Sequence, residues 1–214
     1  MVDKGIVCGQ KVGVFHKDGS LIGVTLVEND SNTLLSYLEK KDLYQTDLGK
    51  MAEVRKKEWL AVRVLLKEIL NEEKIIRYLP SGKPYLEDGS FNISISHTKG
   101  YAAIILDKQN KVAIDIEQIS PRVNTIRSRF MNEVEEKNLS KERELIHLLL
   151  HWSAKESLYK FLDDEKIEFK TQLIIKAFEP KINEWSEFSA IAKGLNYTTH
   201  YYVNDDYVLT YLST

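Results

Sequence analysis

YAAIILDKQNKVAIDIEQI, residues 101–119, decides the fold. Residues 101–106 are an unbroken apolar run of strand length, as a strand buried on both faces requires. Residues 107–111 are polar and turn-like, and 112–119 is apolar again, with Asp115 and Glu117 set at alternate positions. Working backward, 91–96 alternates apolar and polar and is joined to 101–106 by Thr98-Lys99-Gly100, a turn signal. The middle of the chain therefore reads as three strands with two turns between them.

Outside these strands the period changes. Trp59, Val62, Leu66 and Ile69 recur at spacings of three and four, which predicts an amphipathic helix over 46–70 stopped at Asn71. Pro80-Ser81-Gly82-Lys83-Pro84 must be loop. Ser120-Pro121 ends the third strand. Helical patterns follow over 125–139 and 142–161. Strand patterns return at 169–178, 187–192, 197–203 and 207–212, with Asn204-Asp205-Asp206 as a hairpin turn. This order gives an α+β chain with helices on antiparallel sheets, readable as two similar halves, 1–110 and 111–214.

The composition narrows the function. The chain has 214 residues, 43% hydrophobic and 29% charged, which is globular and excludes a disordered or fibrous chain. Thirty Lys and Arg against 32 Asp and Glu leave a formal charge of −2, the wrong balance for a dedicated nucleic-acid binder. Cys8 is the single cysteine, so no disulfide within the chain and no thiolate zinc cluster can form. The first residues do not read as a secretory leader, and no apolar run is long enough to span a bilayer. The expectation is a cytoplasmic protein without a membrane or nucleic-acid partner.

Three clusters carry chemistry. On a strand, Asp115 and Glu117 share one face, where their charges repel unless something compensates. A hard divalent cation does so, and Mg²⁺ typically takes one or two carboxylates with waters and phosphate oxygens. Read alone, such a pair more often marks a solvated face. Trp152, Glu156 and Lys160 fall at i, i+4, i+8 on one side of a helix, with Lys155 a quarter-turn away. Alone, this is an ordinary Glu–Lys helix pair. Together with Asp115 and Glu117 it could hold a cation and a phosphorylated ligand at once. The third cluster is Ser94-Ile95-Ser96-His97-Thr98, a short way after Lys83. It offers donors to a phosphate or ribose, or is simply a polar turn. Arg55, Lys56, Lys57 and Arg63 on the early helix read alone as a solvated face.

Taken together these segments resemble the 4′-phosphopantetheinyl transferase family, in its longer single-chain class. The family's aliphatic-Gly-aliphatic-Asp-x-Glu signature reads here Val112-Ala113-Ile114-Asp115-Ile116-Glu117, with alanine in place of glycine. Its aromatic-Ser-x-Lys-Glu-Ser/Ala-x-x-Lys signature matches Trp152 to Lys160 at every fixed position. Its Gly-Lys-Pro and Asn-x-Ser-His segments read Gly82-Lys83-Pro84 and Ser94-Ile95-Ser96-His97, with serine in place of asparagine. The likeness covers roughly residues 50–165; before residue 50 no family motif can be placed.

The resemblance implies two related α+β halves, a pseudo-dimer with the active site in the cleft between them, and therefore a monomer. It implies transfer of the phosphopantetheine arm of coenzyme A to a serine of an apo acyl or peptidyl carrier protein, with release of 3′,5′-ADP. Asp115, Glu117 and Glu156 would hold Mg²⁺. Lys155 and Lys160 would bind the pyrophosphate, and Glu156 would take the serine proton directly or through a metal-bound water. Lys83, Ser96, His97 and either Arg55 or Arg63 would grip the 3′-phosphate and ribose, Arg55 ranking first. Arg122, Arg127, Arg129 and Phe130 are candidates for the rim that meets an acidic carrier. Two rivals from other classes share these residues: a coenzyme A or nucleotide-binding module without transfer activity, and a Mg²⁺-dependent phosphohydrolase.

Overall fold

The computed structural model describes residues 2–7 and 10–214, with side chains from Val12 onward. Cys8 lies outside the described residues. The chain divides into two units, Met1–Asn110 and Lys111–Thr214.

The first unit is built on a five-stranded antiparallel sheet. Its strands are β1 (Val2–Val7), β2 (Gln10–Lys17), β3 (Ser20–Leu26), β6 (Asn92–Thr98) and β7 (Tyr101–Asp107), in the order β1-β2-β3-β7-β6. The apolar run at 101–106 forms the strand next to the sheet edge, pairing β3 on one side and β6 on the other. Where one helix was expected over 46–70 there are two, α2 (Lys41–Leu48) and α3 (Glu53–Leu70), which follow α1 (Ser31–Ser36). The break falls at Gly49 to Ala52, where Ala52 is already extended with ψ of 154°. Asn71 closes α3 in the left-handed region with φ of 51°, a conformation asparagine tolerates.

Val62, Leu65 and Leu66 of α3 pack on Ile93, Ala102, Ile104 and Leu106 of the sheet. The helix comes so close at Gly23 that an added Cβ would overlap Ile69. A short hairpin, β4 (Ile76–Tyr78) with β5 (Pro84–Leu86), carries the Pro80 to Pro84 loop at its tip.

The second unit has the antiparallel order β8-β12-β11-β10-β9. Its strands are β8 (Val112–Gln118), β9 (Leu173–Ile175), β10 (Ser186–Ala192), β11 (Leu195–Val203) and β12 (Tyr207–Ser213). The Asn204 side chain closes the last hairpin by accepting from the Asp206 and Tyr207 amides at 2.9 Å each. The long helix α6 (Glu144–Leu162) lies on this sheet. The other expected helix, 125–139, is instead a 3-10 turn (Pro121–Thr125) followed by α4 (Arg127–Phe130) and α5 (Glu133–Lys137). Residues 169–178 are only partly strand: α7 (Phe169–Gln172) precedes β9.

Two polar features are sealed into this second core. Lys155 is fully buried, and its ammonium donates to Glu135 Oε2 at 2.8 Å, Phe130 O at 2.6 Å and Phe169 O at 3.0 Å. Burial pulls its pKa down, with Glu135 opposing the shift. Glu135 also accepts from the Asn132 and Ile175 amides at 3.1 and 2.8 Å, so one ion pair ties α4, α5, α7 and β9 to α6. Nearby, His147 and His151 face Phe178 with ring centroids 4.4 and 5.7 Å away. Burial pushes the His151 pKa down to about 3.

Two outcomes follow from these cores. Lys155→Met leaves a buried carboxylate without its cation and should cost about 3–5 kcal/mol in chemical denaturation; adding Glu135→Gln should recover part of that. His151 binds its proton more readily unfolded than folded. Its contribution to stability is therefore complete above about pH 6.5 and is lost as pH falls toward 3. Between pH 7 and pH 5 the wild type should lose about 2 kcal/mol more than His151→Leu, read from urea midpoints at the two pH values.

Candidate functional site

The acidic cluster arises from the way α6 runs along β8. Asp115 and Glu117 are two residues apart and so leave the strand on the same face. Trp152, Glu156 and Lys160 are one turn apart on the helix and form a row. The two rows meet in antiparallel sense. Trp152 Nε1 donates to Glu117 Oε1 at 2.8 Å. Two turns later, Lys160 Nζ donates to Asp115 Oδ1 at 2.8 Å and to Ile114 O at 3.0 Å. Glu156 sits between these two contacts in the helical row. Its pKa is pushed up to about 7, first by burial and then by the charge of Asp115, with Lys160 opposing and Glu117 adding to the rise. Glu156 therefore feels the charge of both Asp115 and Glu117.

The donor set suits a hard cation. All three groups offer carboxylate oxygens, without sulfur or imidazole, the chemistry of a Mg²⁺ or Ca²⁺ site rather than of a zinc site. The cluster is not a closed cage: among the described residues no three His, Cys, Asp or Glu side chains are gathered tightly enough to hold a metal ion by themselves. A cation here would need waters or ligand oxygens to complete its shell, which is how Mg²⁺ is usually bound. The residues present fit the group on these terms.

Lys155 requires a correction. It follows Ala154 on the inner side of α6, and its three acceptors hold it in the core described above. An ammonium with 0% exposure does not reach a phosphate in this structure. Of the two lysines, only Lys160, with its side chain 28% exposed, remains within reach of a ligand. Phe130 is also fully buried, which removes it from any docking rim. Arg127 is engaged by Glu136 and by Glu144, the latter at 2.6 Å, whereas Arg122 and Arg129 are exposed.

The first unit holds a separate basic pocket. Arg55 on α3 contacts His97 on β6, and Glu58 Oε2 lies 3.2 Å from His97 Nε2 and 3.5 Å from Arg55 Nη1. Together with Trp59, Val62, Tyr78, Gly82, Pro84 and Ile95 these residues line a pocket of about 150 Å³. Pockets for whole small molecules measure roughly 300–1,000 Å³, so this one suits a phosphate or another fragment of a larger ligand.

The two arginines are placed differently. Arg63 is 2% exposed and lies over the Trp59 ring, 3.0 Å from its centroid. Its Nη1 donates to Trp59 O at 3.0 Å. Burial lowers its pKa to about 10. It is a core residue, and the expectation that it binds phosphate is withdrawn. Ser96 is buried on the opposite face of β6 from His97, because neighbours on a strand point to opposite sides. It does not line the Arg55–His97 pocket. Lys83 lies between two lining residues, Gly82 and Pro84, and is half-buried.

Sequence reasoning missed Glu58, the internal counterion of the basic pocket. It also missed the partner of Trp152 and the burial of Ser153 and Ser157 against Thr210. The helical spacing of Arg55 and Glu58 was visible as i, i+3, but nothing in it pointed to a histidine on a strand 39 residues beyond Glu58.

Among the described residues no helix is long and apolar enough to cross a membrane. Comparison with known proteins bears on the unit that contains the carboxylates. Residues 111–212 match the family described as the 4′-phosphopantetheinyl transferase superfamily. A 74-residue stretch is 39% identical to the 4′-phosphopantetheinyl transferase AcpT of Salmonella typhi, and equally to that of Salmonella typhimurium. The match takes in 33% of this chain and spans only 38% of the length of these curated relatives. Through residues 111–212, just under half of its length, the chain is similar to the 4′-phosphopantetheinyl transferase superfamily.

Proposed function

We propose that this protein transfers the phosphopantetheine arm of coenzyme A to a serine hydroxyl of an apo carrier protein and releases 3′,5′-ADP. The observation that supports this most is the antiparallel pairing of the Trp152–Glu156–Lys160 row with Asp115 and Glu117, three carboxylates and an ammonium on one helix–strand seam. The reading takes this chain to work as a single copy in the cytoplasm, with the carrier as its protein partner.

In this reading the serine oxygen attacks the phosphorus that bears the pantetheine. The bond from that phosphorus to the bridging oxygen breaks, and the bridging oxygen leaves with 3′,5′-ADP. Asp115, Glu117 and Glu156 would hold Mg²⁺, which when bound supplies positive charge to the pyrophosphate oxygens. Lys160 adds a fixed ammonium beside the same oxygens, where charge develops as the bond breaks. Glu156 accepts the serine proton, directly or through a water. Trp152 holds Glu117 by its indole N–H and keeps that carboxylate turned toward its partners.

Arg55 and His97 are read as the grip on the 3′-phosphate, with Glu58 the anion that the phosphate displaces. Lys83, on the loop beside that pocket, adds a further cation. Lys155 and Arg63 have no part in ligand binding here; both serve the core.

One assay separates the readings. Protein, Mg²⁺, coenzyme A and a panel of apo carriers are mixed and each carrier is weighed by mass spectrometry. A transferase adds one phosphopantetheine arm. A hydrolase releases 3′,5′-ADP without a carrier, and a binding module does neither; either result would overturn the proposal. Glu156→Gln should lower the transfer rate by about 10²- to 10⁴-fold, the range for loss of a general base. Its denaturation midpoint should stay at or above the wild-type value, because the substitution removes a buried charge held beside two like charges. Arg55→Ala should raise KM for coenzyme A about tenfold with kcat little changed, the mark of lost uniform binding. With 3′-dephospho-coenzyme A as donor, Arg55→Ala and wild type should give similar KM values.

A further inference from the structure

Three hydroxyls form a closed polar cluster between α6 and the strand beside β8. Ser153, Ser157 and Thr210 are each 0% exposed. Thr210 Oγ1 lies 2.9 Å from Ser153 Oγ and 2.7 Å from Ser157 Oγ. Ser157 Oγ also lies 3.1 Å from Thr210 O and donates to it. These groups sit among apolar side chains such as Ala154 and Leu158, where an unpaired hydroxyl would cost about 1–3 kcal/mol.

The position of this cluster gives it meaning. Thr210 is the register partner of Asp115 across the β8–β12 ladder. Ser153 and Ser157 directly follow Trp152 and Glu156, the helix residues turned toward the carboxylates. Apolar packing is non-directional and resists a slide or roll of a helix only weakly. Hydrogen bonds are held to a few tenths of an ångström, and here two of them, one turn apart, end on a single oxygen. That geometry fixes both the height and the rotation of α6 at the level of Asp115.

We propose that Thr210 is a positioning residue whose hydroxyl sets α6 over β8, and so sets the spacing of Glu156 from Asp115 and Glu117. The inference rests on the transferase reading and names a residue outside every sequence signature used above. Displacements of about 1 Å in such sites can cost a hundredfold in rate, so the hydroxyl matters well beyond its share of stability.

The test compares wild type with Thr210→Val, which keeps the shape and removes the hydroxyl, and Thr210→Ser, which restores it. Thr210→Val should lower kcat about tenfold or more while KM for coenzyme A stays within about twofold. Thr210→Ser should return kcat to within about threefold of wild type. Binding of Mn²⁺, followed through the electron paramagnetic resonance signal of the free ion, should weaken in Thr210→Val and recover in Thr210→Ser. A Thr210→Val protein with wild-type kcat and Mn²⁺ affinity overturns the proposal, as does a Thr210→Ser protein that fails to recover. If Thr210→Val does not fold, Ser153→Ala, which removes one of the two bonds to Thr210 Oγ1, is held to the same kcat and Mn²⁺ criteria. A wild type inactive with every carrier would retire the transferase reading, and the Mn²⁺ titration would still judge the role of Thr210.

Discussion

The seam between one helix and one strand governs this molecule. Asp115 and Glu117 would repel each other on a bare strand, and Glu156 would add a third like charge. The fold tolerates them because α6 brings the means of holding them along with the charge. An indole N–H takes one carboxylate, an ammonium takes another, and three hydroxyls keep the helix from moving off. Each contact is worth about 1–3 kcal/mol on its own. Their value lies in acting across the same interface, where losing one shifts the geometry of the others.

The two lysines of α6 show how position along a helix divides labour between identical side chains. Lys155 and Lys160 are five residues apart, so they leave the helix in directions about 140° apart at 3.6 residues per turn. One points to the core and the other to the carboxylates. Burying Lys155 is tolerable only because Glu135 and two carbonyls satisfy all three of its protons. The same logic explains Arg63, whose charge rests on the Trp59 ring and near Tyr44.

Much of this was legible in the sequence, and the limits were physical. Strands at 101–106 and 112–119 announced themselves through period and turns, and the long helix through its repeat. The helix expected over 125–139 broke into short pieces because Pro121 and the Asn132 capping box impose local starts that a periodicity count averages away. Asp115, Glu117, Glu156 and Lys160 stood out by type and spacing, but only the family resemblance gave them a role. The roles of Lys155, Arg63 and Ser96 could not, because burial is a property of which face a residue takes after packing. Thr210 was silent for a similar reason: a threonine in an apolar strand looks like a β-former until its partners on α6 are known.

Glu58 has a bearing on ligand choice. It stands within 3.5 Å of both Arg55 and His97, so the basic pocket carries its own anion. In the proposed reading a ligand entering there would trade places with a carboxylate rather than meet an uncovered arginine. Under that exchange a neutral hydroxyl gains almost nothing and a singly charged group gains little, while a doubly charged phosphate comes out ahead. In the proposed reading the pocket would thus work as a threshold on charge, set by a resident competitor one helical turn from the arginine it guards.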